Sequence, residues 1–187
     1  MHKLKRLIHF YLVIGILMIN TSCANSNNNP ITTDNAKITA IVNNKQSMTT
    51  ALKKLNNNFT VNLLYSGVES NNYKRIVDLK LSNTTVLVAV SSTKISNPTF
   101  MDILSNAQSS SIGLKLFAPN SHIKRDPNMN IQHIKVSQIS SDILINHLVK
   151  LNYNLGQTII QRTSVFYYKN ESMTLFEYVL PSLNQFM

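Results

Sequence analysis

The chain has 187 residues, enough for one ordinary domain or two small ones, and its hydrophobic fraction of 43% excludes wholesale disorder. Its single cysteine excludes an internal disulfide and any metal site built from several cysteines, and its four glycines form no glycine-rich phosphate loop. The basic residues behind the formal net charge of +10 are scattered along the chain, and they form no basic helix that would indicate a nucleic-acid partner.

The first 23 residues have the layout of a bacterial export signal. A short basic region at residues 1–6 precedes an apolar run from Leu7 to Ile19, and Cys23 follows two small residues. An apolar run of about 13 residues spans roughly 20 Å as a helix, which is less than the ~30 Å hydrocarbon core of a bilayer. The pattern therefore predicts a cleaved signal peptide over residues 1–22 and not a permanent membrane span.

The position of Cys23 resembles the lipobox of bacterial lipoproteins. This resemblance implies that Cys23 carries acyl chains such as palmitate, and that the protein is anchored at the periplasmic face of the outer membrane because Ala24 is not acidic. An ordinary signal peptide, cut near Ser22 or Ala24, is the alternative. Residues 23–35 comprise the lipidated cysteine and an Asn-rich stretch without hydrophobic periodicity, which predicts a flexible tether.

Hydrophobic patterning predicts a first small α+β domain over residues 36–119. Asn97-Pro98 indicates a helix start, because Asn is a favoured cap and Pro is tolerated at the first helical position. The predicted elements, in chain order, are a strand at 37–42, a helix at 47–55, strands at 59–65, 75–81 and 86–90, a helix from 98 that fades by 109, and a strand at 113–117.

Residues 120–130 have little apolar content and predict a linker, after which a second α+β domain is expected over residues 131–187. Its predicted elements are a strand at 131–136, a helix at 140–151, strands at 158–161 and 164–168, and a last helix at 174–186 interrupted by Pro181. The expected fold class is therefore α+β, with two small domains that each contain a mixed sheet and two helices.

The chain contains no motif of a common enzyme class: there is no HExxH, no G-x-S-x-G, no P-loop and no dinucleotide fingerprint. The candidate acids and bases are three histidines and three aspartates, namely His122, His133, His147, Asp78, Asp102 and Asp126. The histidines are typical of surface or hydrogen-bonded core residues, and the aspartates are expected on the surface. We therefore predict no catalytic residue, no cofactor or metal site, and no enzyme activity.

Two stretches of the first half resemble the N-terminal periplasmic domain of secretins, which also occurs in DotD-type lipoproteins. They are an apolar strand at 86–90 and a capped helix at 97–104 containing Asp-Ile-Leu, followed by a Gly-led strand at 113–116. The second half resembles the next secretin domain, with its first helix at 142–148 and its central strand at 164–168.

This resemblance implies a structural or ring subunit of a secretion, pilus or conjugation apparatus, such as a type IV secretion system, associated with a secretin-like channel. The implied partners are secretin-like or other envelope proteins and the membrane, with a homo-oligomeric ring among the expected assemblies and no nucleic acid. The alternatives are a pilotin-like assembly lipoprotein and a periplasmic module that binds a ligand or the cell wall.

Overall fold

The computed structural model describes residues 36–187. The predicted signal peptide at 1–22, the lipidation of Cys23 and the tether at 23–35 lie outside these described residues. Between residues 36 and 187, no helix has the length and hydropathy needed to cross a bilayer.

The described part of the chain contains five α-helices and seven β-strands. The helices are α1 (Ala36–Val42), α2 (Met48–Leu55), α3 (Pro98–Ser105), α4 (Gly113–Leu116) and α5 (Asp142–Lys150). The strands are β1 (Phe59–Glu69), β2 (Asn72–Leu81), β3 (Thr84–Lys94), β4 (Lys124–Arg125), β5 (Asn130–Lys135), β6 (Thr158–Tyr168) and β7 (Glu171–Val179). Short 3₁₀ helices span Val136–Gln138 and Pro181–Phe186.

All seven strands belong to one antiparallel sheet with the order β1-β2-β3-β7-β6-β4, and β5 pairs with the same edge of β6 as β4. Tight turns join the long strands, and Asn71 and Asn83 take positive φ angles there because Asn tolerates the left-handed conformation. The expected α+β class is confirmed. The expected pair of separate sheets is wrong, because β3 from the first half pairs with β7 from the second over seven residue positions.

The sheet separates two hydrophobic cores, one on each face. Helices α1 to α4 cover the first face, where Leu52, Phe100 and Leu104 pack against the strands. Helix α5 covers the second face, where Leu144 and Leu148 are fully buried. The structure is therefore three-layered, and this arrangement suggests one domain instead of two.

Three predicted elements differ from the structure. The predicted strand at 37–42 is helix α1 and the predicted strand at 113–117 contains helix α4, since short apolar runs fit either conformation. The predicted helix at 174–186 is strand β7 followed by a 3₁₀ helix. Both sides of β7 are largely covered, so its residues are mostly apolar and lack the alternation that identifies a half-exposed strand.

The predicted linker at 120–130 is part of the sheet edge, because Lys124 and Arg125 form β4 against β6. Helix α3 starts where the sequence predicts, but Asn97 does not cap it through its side chain. The carboxylate of Glu171, which follows the β6–β7 turn, instead accepts hydrogen bonds from the backbone N–H groups of Thr99 and Phe100 at 2.9 and 3.3 Å. A residue of the second half thus stabilises a helix of the first.

The shared sheet predicts that the full chain unfolds in one cooperative step. Urea unfolding followed by far-ultraviolet circular dichroism and by tyrosine fluorescence should give coincident transitions, because neither half can keep its central strand without the other. Two separated transitions would contradict the single-sheet interpretation and favour two independent domains.

Candidate functional site

A row of residues runs straight across the first face of the sheet. Arg162 on β6 pairs directly with Glu177 on β7, and Glu177 in turn pairs with Ala89 on β3. Since side chains alternate along a strand, residues two positions away also face α1 to α4. Arg75 and Ser164 therefore belong to the same face, in the next row.

A cavity of about 40 Å³ lies between these rows and the covering helices. This is room for roughly three water molecules, which is comparable with a small polyatomic anion. The floor comes from the sheet, and the roof comes from the start of α2 and from α4. The polar side chains of the lining belong to Ser47, Thr49, Arg75, Ser91, Ser111, Arg125, Arg162, Ser164 and Glu177.

Gly113 lets the roof close over the cavity. A side-chain Cβ at this position would lie 2.3 Å from Oγ of Ser47, which is closer than any carbon–oxygen contact allows. The absence of a side chain at Gly113 therefore permits α4 to pack directly against the residue that precedes α2.

Arg162 and Glu177 form a buried ion pair in the cavity wall. Their side chains are 1% and 8% exposed, and Nε of Arg162 lies 3.3 Å from Oε2 of Glu177. The contact does not have hydrogen-bond geometry, so both atoms lack a hydrogen-bond partner within the described chain. Burial raises the pKa of Glu177, and the charges of Arg162 and Arg125 only partly oppose this effect.

Arg125 brings a second guanidinium to the cavity from the sheet edge. Its side chain donates a hydrogen bond to the backbone carbonyl of Lys45. Its guanidinium also lies 5.4 Å from the ring centre of Phe117, which packs edge-to-face on Phe166. Burial and the nearby charge of Arg162 lower the pKa of Arg125. A cation–π contact and a carbonyl therefore hold this group in place without neutralising its charge.

Arg75 contributes a third guanidinium from β2. Its side chain is almost fully buried and donates to the carbonyl oxygens of Gln108 and Ser110, the latter at 2.7 Å. Burial lowers the pKa of Arg75 to about 10, so the group is still charged at neutral pH. Its partners are dipoles, and no carboxylate forms an ion pair with it in the described residues.

The cavity wall thus has three positive charges and one negative charge. Atoms without a hydrogen-bond partner in the described chain include Nη1 of Arg125, Nη1 of Arg162, Oγ of Ser164 and Oε2 of Glu177. Taking an ion out of water costs several kcal/mol unless it is paired and hydrogen-bonded. Unpartnered donors on residues that line a cavity are suited to hold a negatively charged group.

The acids and bases singled out in the sequence do not meet at this cavity. His122 and His133 are exposed, as are Asp102 and, in part, Asp126. Asp78 was expected on the surface, but it is fully buried on the opposite face of the sheet. There its Oδ2 lies 3.3 Å from Nε2 of His147 on α5, so these two residues form a pair beneath that helix.

The sequence pattern does not single out the four charged residues of the cavity. The predicted strands at 158–161 and 164–168 leave out Arg162, whereas it lies in the middle of β6. Glu177 was placed in a predicted helix, and Arg125 in a linker. A signal does exist in β6, where Ile160, Arg162, Ser164 and Phe166 alternate with more exposed residues, so that polar side chains occupy core-facing positions.

No protein-family model matches the chain, and no curated protein matches it. Among solved structures, the chain is similar to a gene product of Staphylococcus aureus with a TM-score of 0.51 and 10% identity. This match covers 73% of the chain and 89% of the other protein. At this identity the likeness concerns the fold alone.

Two further similar structures have TM-scores below 0.5. The first is the ligand-binding domain of a putative GntR-family transcriptional regulator from Bordetella bronchiseptica, with a TM-score of 0.46 and 9% identity. This match covers 67% of the chain and 87% of that domain. The second, at 0.44 and 7% identity, is the C-terminal domain of a histidine utilization repressor from Pseudomonas syringae, with coverages of 66% and 92%.

These findings contradict the resemblance to secretin and DotD-type domains, because the similar structures are domains of another kind. They also contradict the function drawn from it, a lipoprotein subunit of a secretion, pilus or conjugation apparatus, and the pilotin-like alternative. The predicted location at the outer membrane is contradicted as well. The expectation of envelope partners without nucleic acid is contradicted as well.

The raised pKa of Glu177 predicts a pH-dependent difference between wild type and Glu177→Gln. A carboxyl whose pKa is raised by folding contributes most to stability below its ordinary pKa of 4.5, and that contribution is lost as the pH rises through the raised value. The free energy of unfolding of wild type relative to the variant should therefore fall as the pH rises above 4.5. Urea unfolding at several pH values measures it.

Glu69→Gln is the matched control, because Lys74 hydrogen-bonds this exposed carboxylate and lowers its pKa. The difference in free energy of unfolding between wild type and this control should change little with pH. Any change should be a rise with pH, opposite to the fall expected for Glu177. A Glu177 difference that rises with pH would show that Arg162 and Arg125 dominate over burial.

Proposed function

We propose that the chain is a binding domain for a small anionic molecule, which it holds in the cavity between the sheet and α2 and α4. The observation that carries this proposal is the excess of buried positive charge: Arg75, Arg125 and Arg162 line the cavity with one carboxylate, Glu177. Nη1 of Arg125 and Nη1 of Arg162 have no hydrogen-bond partner in the described residues.

An anion in the cavity removes the main electrostatic cost of this arrangement. Arg125 and Arg162 repel one another, and the charge of Glu177 can compensate only one of them. A carboxylate or phosphate can accept two parallel N–H bonds from one guanidinium, which is the strongest type of hydrogen-bonded pair available to a side chain. Binding should therefore stabilise the fold as well as occupy the site.

The cavity is also rigidly built, which favours binding of a defined ligand. Arg125 and Arg162 donate to the carbonyl oxygens of Lys45 and Gln46, at the roof. Arg75 holds the 108–110 loop on the other side. Because these bonds fix the guanidinium groups before any ligand arrives, little conformational entropy is lost on binding.

We propose binding without catalysis. No imidazole and no thiol belongs to the described lining of the cavity, and its four serines have no neighbouring base that could activate them as nucleophiles. Glu177 is engaged with Arg162 and lies among positive charges, an arrangement suited to recognition of charge.

The proposal predicts that small anions raise the melting temperature of the protein. At about 100 times its dissociation constant and at constant ionic strength, phosphate, sulfate or acetate should raise the free energy of unfolding by roughly 2.7 kcal/mol. The melting temperature should then rise by several degrees. Arg125→Ala should weaken binding at least about tenfold, because it removes a charged hydrogen-bond donor. Differential scanning fluorimetry of each protein against its own ligand-free state measures this.

Lys124→Ala is the matched control, since it removes the same charge from the neighbouring position with an exposed side chain. This variant should respond to anions like wild type. An equal loss in both variants would indicate a general effect of net charge, and the absence of stabilisation by any anion in wild type would refute the proposed function.

A further inference from the structure

The cavity wall combines hydrogen-bond donors with one strong acceptor. Nη1 of Arg125 and Nη1 of Arg162 can only donate, and Oγ of Ser164 can do either. Oε2 of Glu177 is buried, belongs to a residue of the lining and has no hydrogen-bond partner in the described chain. As an ionised carboxylate, Glu177 can only accept.

The acceptor restricts which anions fit. An anion whose oxygens are all deprotonated meets the arginines well, but it places a second negative charge against Glu177 with no proton between the two groups. An anion that has its own O–H or N–H group can donate to Oε2 of Glu177 while its charged oxygens accept from Arg125 and Arg162. Such an anion offers an acceptor to the arginines and a donor to Glu177 at the same time.

We propose that Glu177 makes this site selective for anions that themselves present a hydrogen-bond donor, of which monohydrogen phosphate is the simplest, and against fully ionised anions such as sulfate. The inference rests on the proposed function, because it names the class of ligand for the same cavity. Glu177 thus has two roles. It is the counter-charge of Arg162, and it accepts a hydrogen bond from the O–H or N–H group of the ligand.

Phosphate and sulfate are a suitable pair for the test, because they have nearly the same size and tetrahedral shape. Phosphate keeps at least one hydroxyl proton at neutral pH, whereas sulfate has none. A cavity that only balanced charge would bind both, in the order of their charges. Discrimination between them therefore reports on hydrogen bonding to Glu177 and not on the fit of the cavity.

The selectivity should depend on pH in a defined direction. The titratable groups that line the cavity with Glu177 are Arg75 on β2, Arg125 on β4 and Arg162 on β6, and the covering helices add none among the described residues. These guanidinium groups stay charged near neutral pH. Burial raises the pKa of Glu177, and its protonated form can donate to sulfate. Sulfate binding should therefore weaken as the pH rises.

The proposal can be tested by isothermal titration calorimetry of the full chain with inorganic phosphate and with sodium sulfate. Both titrations are done at pH 7.5 and constant ionic strength. Wild type should bind phosphate at least about tenfold more tightly than sulfate, the usual consequence of leaving one buried charged acceptor unpaired. In Glu177→Gln the preference should disappear, because the amide can donate to sulfate. The exposed Glu69→Gln control should keep the wild-type preference.

A second measurement does not depend on the folding of the variant. As the pH rises above 4.5, the ordinary pKa of a glutamate carboxyl, the affinity of wild type for sulfate should fall, since sulfate itself does not titrate in this range. Where Glu177→Gln folds, as judged by circular dichroism, its sulfate affinity should be flat over the same range. A flat profile in wild type would contradict a contact between Glu177 and the ligand.

The outcomes separate this inference from the proposed function. Equal affinities for phosphate and sulfate in wild type, or a preference that survives in Glu177→Gln, would overturn the selectivity and leave anion binding intact. Stabilisation by acetate without binding of phosphate would do the same. If no anion binds to wild type, both the inference and the proposed function are wrong.

Discussion

The pairing of β3 with β7 is the constraint on which the rest of the structure depends. It joins strands about 90 positions apart in the chain and merges what would be two small sheets into one. Because of this pairing, Glu177 lies between the first-half strands and Arg162, and Glu171 reaches the start of α3. The cavity lined by Glu177, the core under α1 to α4 and the cap of a helix thus all follow from one set of backbone hydrogen bonds.

Buried charge is the second organising feature, and it has a physical cost. Arg75 and Arg162 are among the largest fully buried side chains, and the described residues offer them one nearby carboxylate and several carbonyl groups. A buried ion pair adds little stability compared with well-packed apolar residues. The retention of several guanidinium groups around a cavity is more easily understood from ligand binding than from stability. The carbonyl contacts of Arg125 and Arg162 also tie the roof of the cavity to the sheet.

The comparison of predicted and observed elements shows where local patterns are informative. Helices α2, α3 and α5 and strands β1 to β3 lie close to the predicted positions, since turn-forming Asn and a one-sided apolar stripe act locally. Strand β7 was missed because both of its sides are largely covered, which removes the alternation. The resemblance to secretin domains, which the structural comparisons contradict, rests on an element order that differs from the structure at β7 and α4.

The sequence by itself determined the mixed α+β composition, most strands of the hairpins, the start of α3 and the absence of a common enzyme motif. Only the tertiary structure decided that the two halves share one sheet and that Arg75, Arg125, Arg162 and Glu177 surround one cavity. The physical reason is that local propensities fix the conformation of a segment within a few residues. Which strands become neighbours is determined by non-local hydrogen bonds and by the burial of both sheet faces, and the charge balance of a cavity is a property of that arrangement.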